Sequence, residues 1–183
     1  KSIEPQEPYQ LVLVTEKTPG KLNAQERGLS EVRYQFVVIC DDDNSLFPDY
    51  LLIGYQHFQK HPNIGILGGN GIPKSEVAIP EWFNEYAIFY AAAPQAPTTG
   101  EVRPTRNVVY GAGMWLRMSA YDEAKDHGFK FILASRTGTS LSTGGEDSEL
   151  CWAIRFIGYS IWYIDEMRFY HHIPPGRLTE DYR

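Results

Sequence analysis

An α/β domain is the fold class that this sequence predicts. Three observations carry the prediction. Strand-like and helix-like stretches alternate through the first third of the chain; the run Phe36-Val37-Val38-Ile39-Cys40 is apolar, β-rich and stops at three acids; and a helical stripe of Leu150, Ile154 and Ile157 leads at once into a strand-like run from Ser160. Alternation of this kind builds a sheet with helices on its faces. A near-continuous apolar run suits a strand covered on both sides, as in a parallel sheet. The 183 residues suit a single domain spanning 1–183.

Taken in order, residues 1–9 are polar with two prolines and read as a loop; they hold no initiator Met, so the chain reads as a piece of something longer. Residues 11–14 (Leu-Val-Leu-Val) suit a short strand, and Thr18-Pro19-Gly20 a turn. Residues 21–32 have helical composition with a sparse apolar face of Leu22, Leu29 and Val32. After the apolar run at 36–40, Pro48 and Asp49 open a helix that reaches about Lys60, since proline and acids both favour a first turn. Residues 64–67 form a strand ended by Gly68-Gly69, and 80–91 an aromatic helix or loop. Residues 92–104 hold three prolines and read as exposed loop. A strand over 108–117 is interrupted by Gly111-Ala112-Gly113, and a short helix over 120–127 stops at Gly128. The Ser-, Thr- and Gly-rich stretch 133–145 is a loop, a lid or a plain connection. A helix then runs from Glu146 to about Ile157, followed by a strand over 160–164 and an extended piece over 169–172.

Composition narrows the function. Hydrophobic residues make up 43% and charged residues 22%, enough for a core and too apolar for a disordered chain. A net charge of -6 argues against a nucleic-acid partner, which calls for a basic stripe. Cys40 and Cys151 sit in apolar contexts and read as two buried, reduced thiols, or as one bridge, and hence as intracellular. No apolar run approaches membrane-spanning length, and no signal peptide opens the chain, so a cytoplasmic location is expected.

Four places could carry chemistry. Residues two apart in an extended segment point the same way, so Asp41 and Asp43 can converge on one ligand while Asp42 points elsewhere. Gathered carboxylates suit a hard divalent cation; the competing reading is a polar turn. In Gly144-Gly145-Glu146-Asp147-Ser148-Glu149, Asp147 could act as a general base, although acids at a helix start also satisfy the dipole and the free N–H groups. Of His171 and His172, at most one can face a metal site, and a satisfied histidine pair is the competing reading. Gly111 and Gly113 suggest close approach of backbone to a ligand, and Trp115 could stack on a sugar or fill the core.

In this order the motifs resemble the family 2 glycosyltransferases of the GT-A fold: an apolar strand ending in Asp-x-Asp, then Gly-Ala-Gly-Met, then Gly-Glu-Asp-x-Glu-Leu, then Gly-Tyr and His-x-x-Pro. The likeness runs from about Gly20 to the end. It implies a partial GT-A (Rossmann-like) mixed sheet flanked by helices. It implies transfer of a sugar from a nucleotide-sugar donor to an acceptor hydroxyl, usually with inversion, using Mg2+ or Mn2+. By the same resemblance Asp43 holds the metal, and Asp41, with Asp42 beside it, the nucleotide ribose or the metal's water. Asp147 is the catalytic base with Glu146 its neighbour. His172, rather than His171, lies near the metal and diphosphate. Gly111, Gly113, Met114 and Trp115 line the donor sugar and acceptor.

The acceptor class is a glycan or lipid-linked sugar, as in polysaccharide biosynthesis, and in the full-length protein the domain could lie at a membrane surface. The family's earlier strands for base and ribose have no counterpart here. An exposed sheet edge that invites pairing between chains is therefore expected. Two other readings compete: a non-catalytic binding remnant of the same fold, and a different Mg2+-dependent phosphoryl-transfer enzyme.

Overall fold

The computed structural model describes residues 10–102, 106–133 and 145–182. Helix α1 is Lys21–Leu29 and strand β1 is Phe36–Ile39. A three-residue strand β2, Asn44–Leu46, precedes helix α2, Tyr50–Lys60, and the long strand β3, Ile64–Lys74. A four-residue α3, Phe83–Tyr86, runs into a 3-10 turn, Ala87–Tyr90, and Gly100–Glu101 forms β4. Then come β5, Met114–Arg117; α4, Met118–Asp126; α5, Glu146–Phe156; and β6, Ser160–His172.

These strands make one mixed sheet in the order β1-β5-β3-β6-β2, with β4 also on β6. Only β3 and β6 run parallel; the other pairs are antiparallel. Both faces are covered, as an α/β fold requires. Met114 and Leu116 of β5 point into a core shared with α1, α4 and α5, through Leu29, Ala120, Leu150 and Ile154. Trp115, between them, points to the other face with Tyr50 and Phe58 of α2. Period-two alternation along β5 therefore sorts its side chains between the two cores. A third, smaller cluster of Phe83, Ala87, Ala92, Ile173 and Leu178 lies apart from both.

Several expectations need correction. β1 is an edge strand, half-buried throughout and antiparallel to β5, not a parallel strand covered on both sides. Its outer edge has no strand partner among the described residues; an apolar groove of about 390 Å³ runs between it and α1. Residues 11–14 form no strand, and Leu13 is 92% exposed: a short apolar run is a strand only where it pairs, and this one pairs with none of the described strands. β3 does not stop at Gly68-Gly69 but continues to Lys74, because β6 runs beside it for its whole length and pairs past a register shift. The two pieces read at 160–164 and 169–172 are one strand for the same reason. The strand over 108–117 shrinks to its last four residues. Cys151 is buried and Cys40 exposed, and both thiols are free. The expected loop at 133–145 lies, but for its two ends, outside the described residues. No helix among the described residues is long and apolar enough to cross a membrane.

Candidate functional site

A cleft of about 800 Å³ opens at one end of the sheet. Five carboxylates line it, those of Asp41, Asp42, Asp43, Glu146 and Asp147, together with Lys21, His171 and Arg177. Five segments deliver them: the chain just after β1, the start of α1, the start of α5, the end of β6 and the 3-10 turn Pro175–Arg177.

The acids after β1 are not extended. β1 ends at Ile39, and the chain turns so that the Asn44 N–H donates to the Asp41 carbonyl at 3.1 Å. Side-chain alternation therefore does not govern this segment, and all three aspartates reach the cleft. Asp41 pairs with Lys21 Nζ at 3.2 Å. Asp43 Oδ2 instead meets His171 Nε2 at 3.2 Å. β2 causes this second contact, because its antiparallel register sets Asn44 opposite His171 and the His172 N–H donates to the Asp43 carbonyl at 2.8 Å. His172 points the other way and its Nε2 meets Ser45 Oγ at 3.0 Å. The histidine facing the acids is thus His171, not the expected His172, since neighbours on a strand face opposite sides.

Asp147 sits in the first turn of α5. Its Oδ2 accepts the Gly111 N–H at 2.9 Å. Burial pushes its carboxyl above the ordinary value, and the nearby Glu146 adds to this; Lys21 and the Gly111 amide pull the other way without prevailing. Gly111 is required here by space: a Cβ on it would run into the Asp147 carboxylate. The amide that holds Asp147 is itself fixed by Gln95, which is 2% exposed, accepts the Tyr110 N–H at 2.7 Å and donates to the Gly69 carbonyl at 2.8 Å.

Gly113, Met114 and Trp115 do not line the cleft. Gly113 takes a left-handed turn at φ 70, with the Tyr50 hydroxyl donating to its carbonyl at 2.6 Å. The chain then enters β5 inside the sheet. Met114 is fully buried, and Trp115, 6% exposed, packs edge-on to Phe58 at 5.8 Å. Trp115 is a core residue, and of the Gly-Ala-Gly-Met-Trp segment only Gly111 and Ala112 face the cleft.

Sequence reasoning missed Lys21, although it begins a helix directly after Gly20. Its ammonium lies 3.2 Å from Asp41 and 3.8 Å from Glu146. Burial would lower its pKa, but Asp147, Asp41 and Glu146 together hold it above the usual value, so it stays charged. Glu146 is 7% exposed and its Oε2 also accepts the Gly145 N–H at 2.9 Å. Glu149, one turn on, accepts the N–H groups of Ile132 and Leu133 at 2.9 and 3.0 Å, tying the chain before α5 to the helix itself. Lys21→Met should raise the Asp147 pKa further, since one of the two groups opposing burial is gone. Carbon-detected NMR titration of the Asp147 carboxyl would check this; an unchanged midpoint would contradict it.

Among the described residues no three metal-binding side chains gather into a ready-made cluster. Asp43 with His171 forms a two-donor set, with Asp41 and Asp42 on the same cleft. Such a set fits a hard cation like Mg2+ or Mn2+, which binds through one or two carboxylates and takes its remaining ligands from substrate phosphates and water.

A covered mixed sheet with an acidic cleft at one end is the GT-A-like architecture. A solved structure with the same fold is "Crystal structure of GalNAc-T7 with UDP, GalNAc and Mn2+", with a TM-score of 0.57 and 12% identity. The match covers 87% of this chain but only 31% of that one, so this chain spans about a third of its neighbour's length. The chain belongs to glycosyl transferase family 2, whose family model matches residues 2–125. No curated protein matches it.

Proposed function

We propose that this chain is the catalytic and acceptor part of a glycosyltransferase that moves a sugar from a nucleotide-sugar to an acceptor hydroxyl, with inversion and with Mg2+ or Mn2+. The observation that carries this reading is the division of the cleft's carboxylates. Asp43 stands against His171, and Asp147 is buried, its proton affinity raised by that burial, and held by the Gly111 amide. The family membership supports glycosyl transfer in general, and the solved neighbour's UDP, GalNAc and Mn2+ support the donor and cation classes.

Asp43 and His171 would hold the cation, with Asp41 and Asp42 turned to the nucleotide. The bound cation supplies positive charge against the diphosphate. The rest of the work falls to the chain's own groups. Asp147 takes the proton of the acceptor hydroxyl; a carboxylate whose affinity for protons is raised by burial is the better base. The hydroxyl oxygen bonds to the anomeric carbon from the face opposite the leaving group. The old bond to the phosphate oxygen breaks, and its electron pair departs with the nucleoside diphosphate. Lys21, bridging Asp41 and Glu146, moderates the repulsion among the acids while the cleft fills. The acceptor is a glycan or lipid-linked sugar.

The test is transfer by the full-length protein with a panel of nucleotide-sugars and Mn2+, the product's anomeric configuration being read by NMR. Transfer with inversion is expected. Retention would remove Asp147 from the base role; nucleoside-diphosphate binding without any turnover would make this fold a binding remnant. Gly111→Ala should lower kcat about 100-fold by displacing Asp147, with donor KM little changed. An equal rise in donor KM would count against Asp147 acting on the acceptor.

A further inference from the structure

The cleft has an aromatic wall that the reaction as described does not use. Tyr86, Phe89, Tyr90 and Tyr182 all line it, and Arg177 stands among them. A lone exposed aromatic on a convex surface says little. Phe89, however, is 83% exposed inside a concavity that also holds the carboxylates, and Tyr182 is 49% exposed beside it.

The wall is built, not accidental. Phe83 and Ala87 lie one turn apart and bury themselves against Ile173 and Leu178, the third core. That turns Tyr86 and Phe89 outward. Ala91, left-handed at φ 49, ends the 3-10 turn just after Tyr90. Tyr90 clasps the two segments: its ring lies 4.8 Å from Phe83 and 6.3 Å from Tyr182, and its hydroxyl donates to the Arg177 carbonyl at 3.2 Å. No carboxylate among the described residues pairs with the Arg177 guanidinium.

We propose that Phe89 is the acceptor platform: the C–H face of a pyranose ring lies on Phe89, with Tyr86 and Tyr182 flanking it and Arg177 donating to its oxygen substituents. This deepens, and rests on, the glycosyltransferase reading, and it names the acceptor as a pyranoside. A phenyl ring offers dispersion and a π-face but no hydrogen bond, so it selects a sugar face of axial C–H bonds and makes no directional contact with the hydroxyls. The guanidinium, free of carboxylates, supplies the directional bonds at the rim. The wall shares one cleft with Asp147, so a sugar seated there lies in the same concavity as that acid.

The experiment is saturation-transfer NMR on the full-length protein with methyl β-glucopyranoside, methyl β-galactopyranoside and methyl β-glucuronide as probes. It compares wild type, Phe89→Ala, Phe89→Trp and Asp147→Asn. Wild type and Asp147→Asn should both bind, with saturation strongest on the axial C–H protons. Phe89→Ala should weaken binding by roughly tenfold, and Phe89→Trp should restore it. Phe89 is exposed, and matched melting curves would show that the variant is folded. Undiminished binding in Phe89→Ala, or none by any probe in wild type, overturns the proposal. So does a loss of UDP affinity in Phe89→Ala, which would make the ring a nucleobase platform. Pyranoside binding through Phe89 without transfer from any nucleotide-sugar would defeat the glycosyltransferase reading and leave the platform; transfer indifferent to Phe89→Ala would do the reverse.

Discussion

Replacing Asp147 by Asn should yield a protein that is more stable at neutral pH and close to inactive. The lost general base costs about 10²–10⁴-fold in kcat. The gain in stability follows from burial. The folded pKa of Asp147 lies above its unfolded value, so the native state holds the proton more firmly than the unfolded chain does. Native stability therefore falls as pH rises from the ordinary carboxylate range through the raised pKa. An Asn side chain carries no such penalty, and its carbonyl oxygen still accepts the Gly111 N–H. The variant should match wild type in acid and exceed it at neutral pH, the trade expected where a site holds strain for activity. Urea melts on both sides of the titration check this. A variant that is less stable at neutral pH would mean that attraction to Lys21 outweighs burial. The same raised pKa predicts a rate that climbs with pH along its acid limb, at higher pH than an exposed aspartate would give.

The second large effect concerns Asp43. If Asp43 and His171 hold the cation as proposed, they supply two ligands and the nucleotide's phosphates the others. Mn2+ affinity should rise at least about tenfold when a nucleoside diphosphate is present, and by linkage Mn2+ should tighten the nucleotide equally. Asp43→Ala should abolish this coupling and lower kcat by about 10³-fold. His171→Ala should weaken the coupling, and His172→Ala should leave it alone, because the His172 ring is turned to Ser45. Calorimetry with Mn2+, UDP and both together would check all three. Tight Mn2+ binding without nucleotide, or coupling that survives Asp43→Ala, would contradict the assignment.

What could be read from sequence was what chemistry and periodicity dictate locally. The apolar run into acids, the Gly-Glu-Asp helix start and the stripe of Leu150 and Ile154 needed no knowledge of partners, and the α/β class follows from them; the GT-A-like sheet comes from the family resemblance that the motifs carry in order. What failed depended on long-range pairing. The choice between His171 and His172 rests on the register of β2 against β6, more than a hundred residues away in sequence. The residues leave Trp115 open between a sugar and the core and the family resemblance places it at the donor sugar, but only the sheet order shows that β5 lies between β1 and β3. Lys21 carries no local signal: a lysine beginning a helix is commonplace, and its three acidic neighbours come from two other elements. Among the described residues, 11–14 pair with no strand although the outer edge of β1 is open, and no pattern within four residues reveals whether a pairing is made.

The last strand has a bearing on how the protein is made. β6 pairs with β2, β3 and β4, and it supplies Ile161, Tyr163, Ile164 and Phe169 to the two main cores. A ribosome delivers it after everything it joins. Until then β3 has an apolar edge with no mate and Asp43 has no His171. Nascent chains will wait for β6 before the sheet closes, and a chain cut short before it leaves an open, aggregation-prone half sheet.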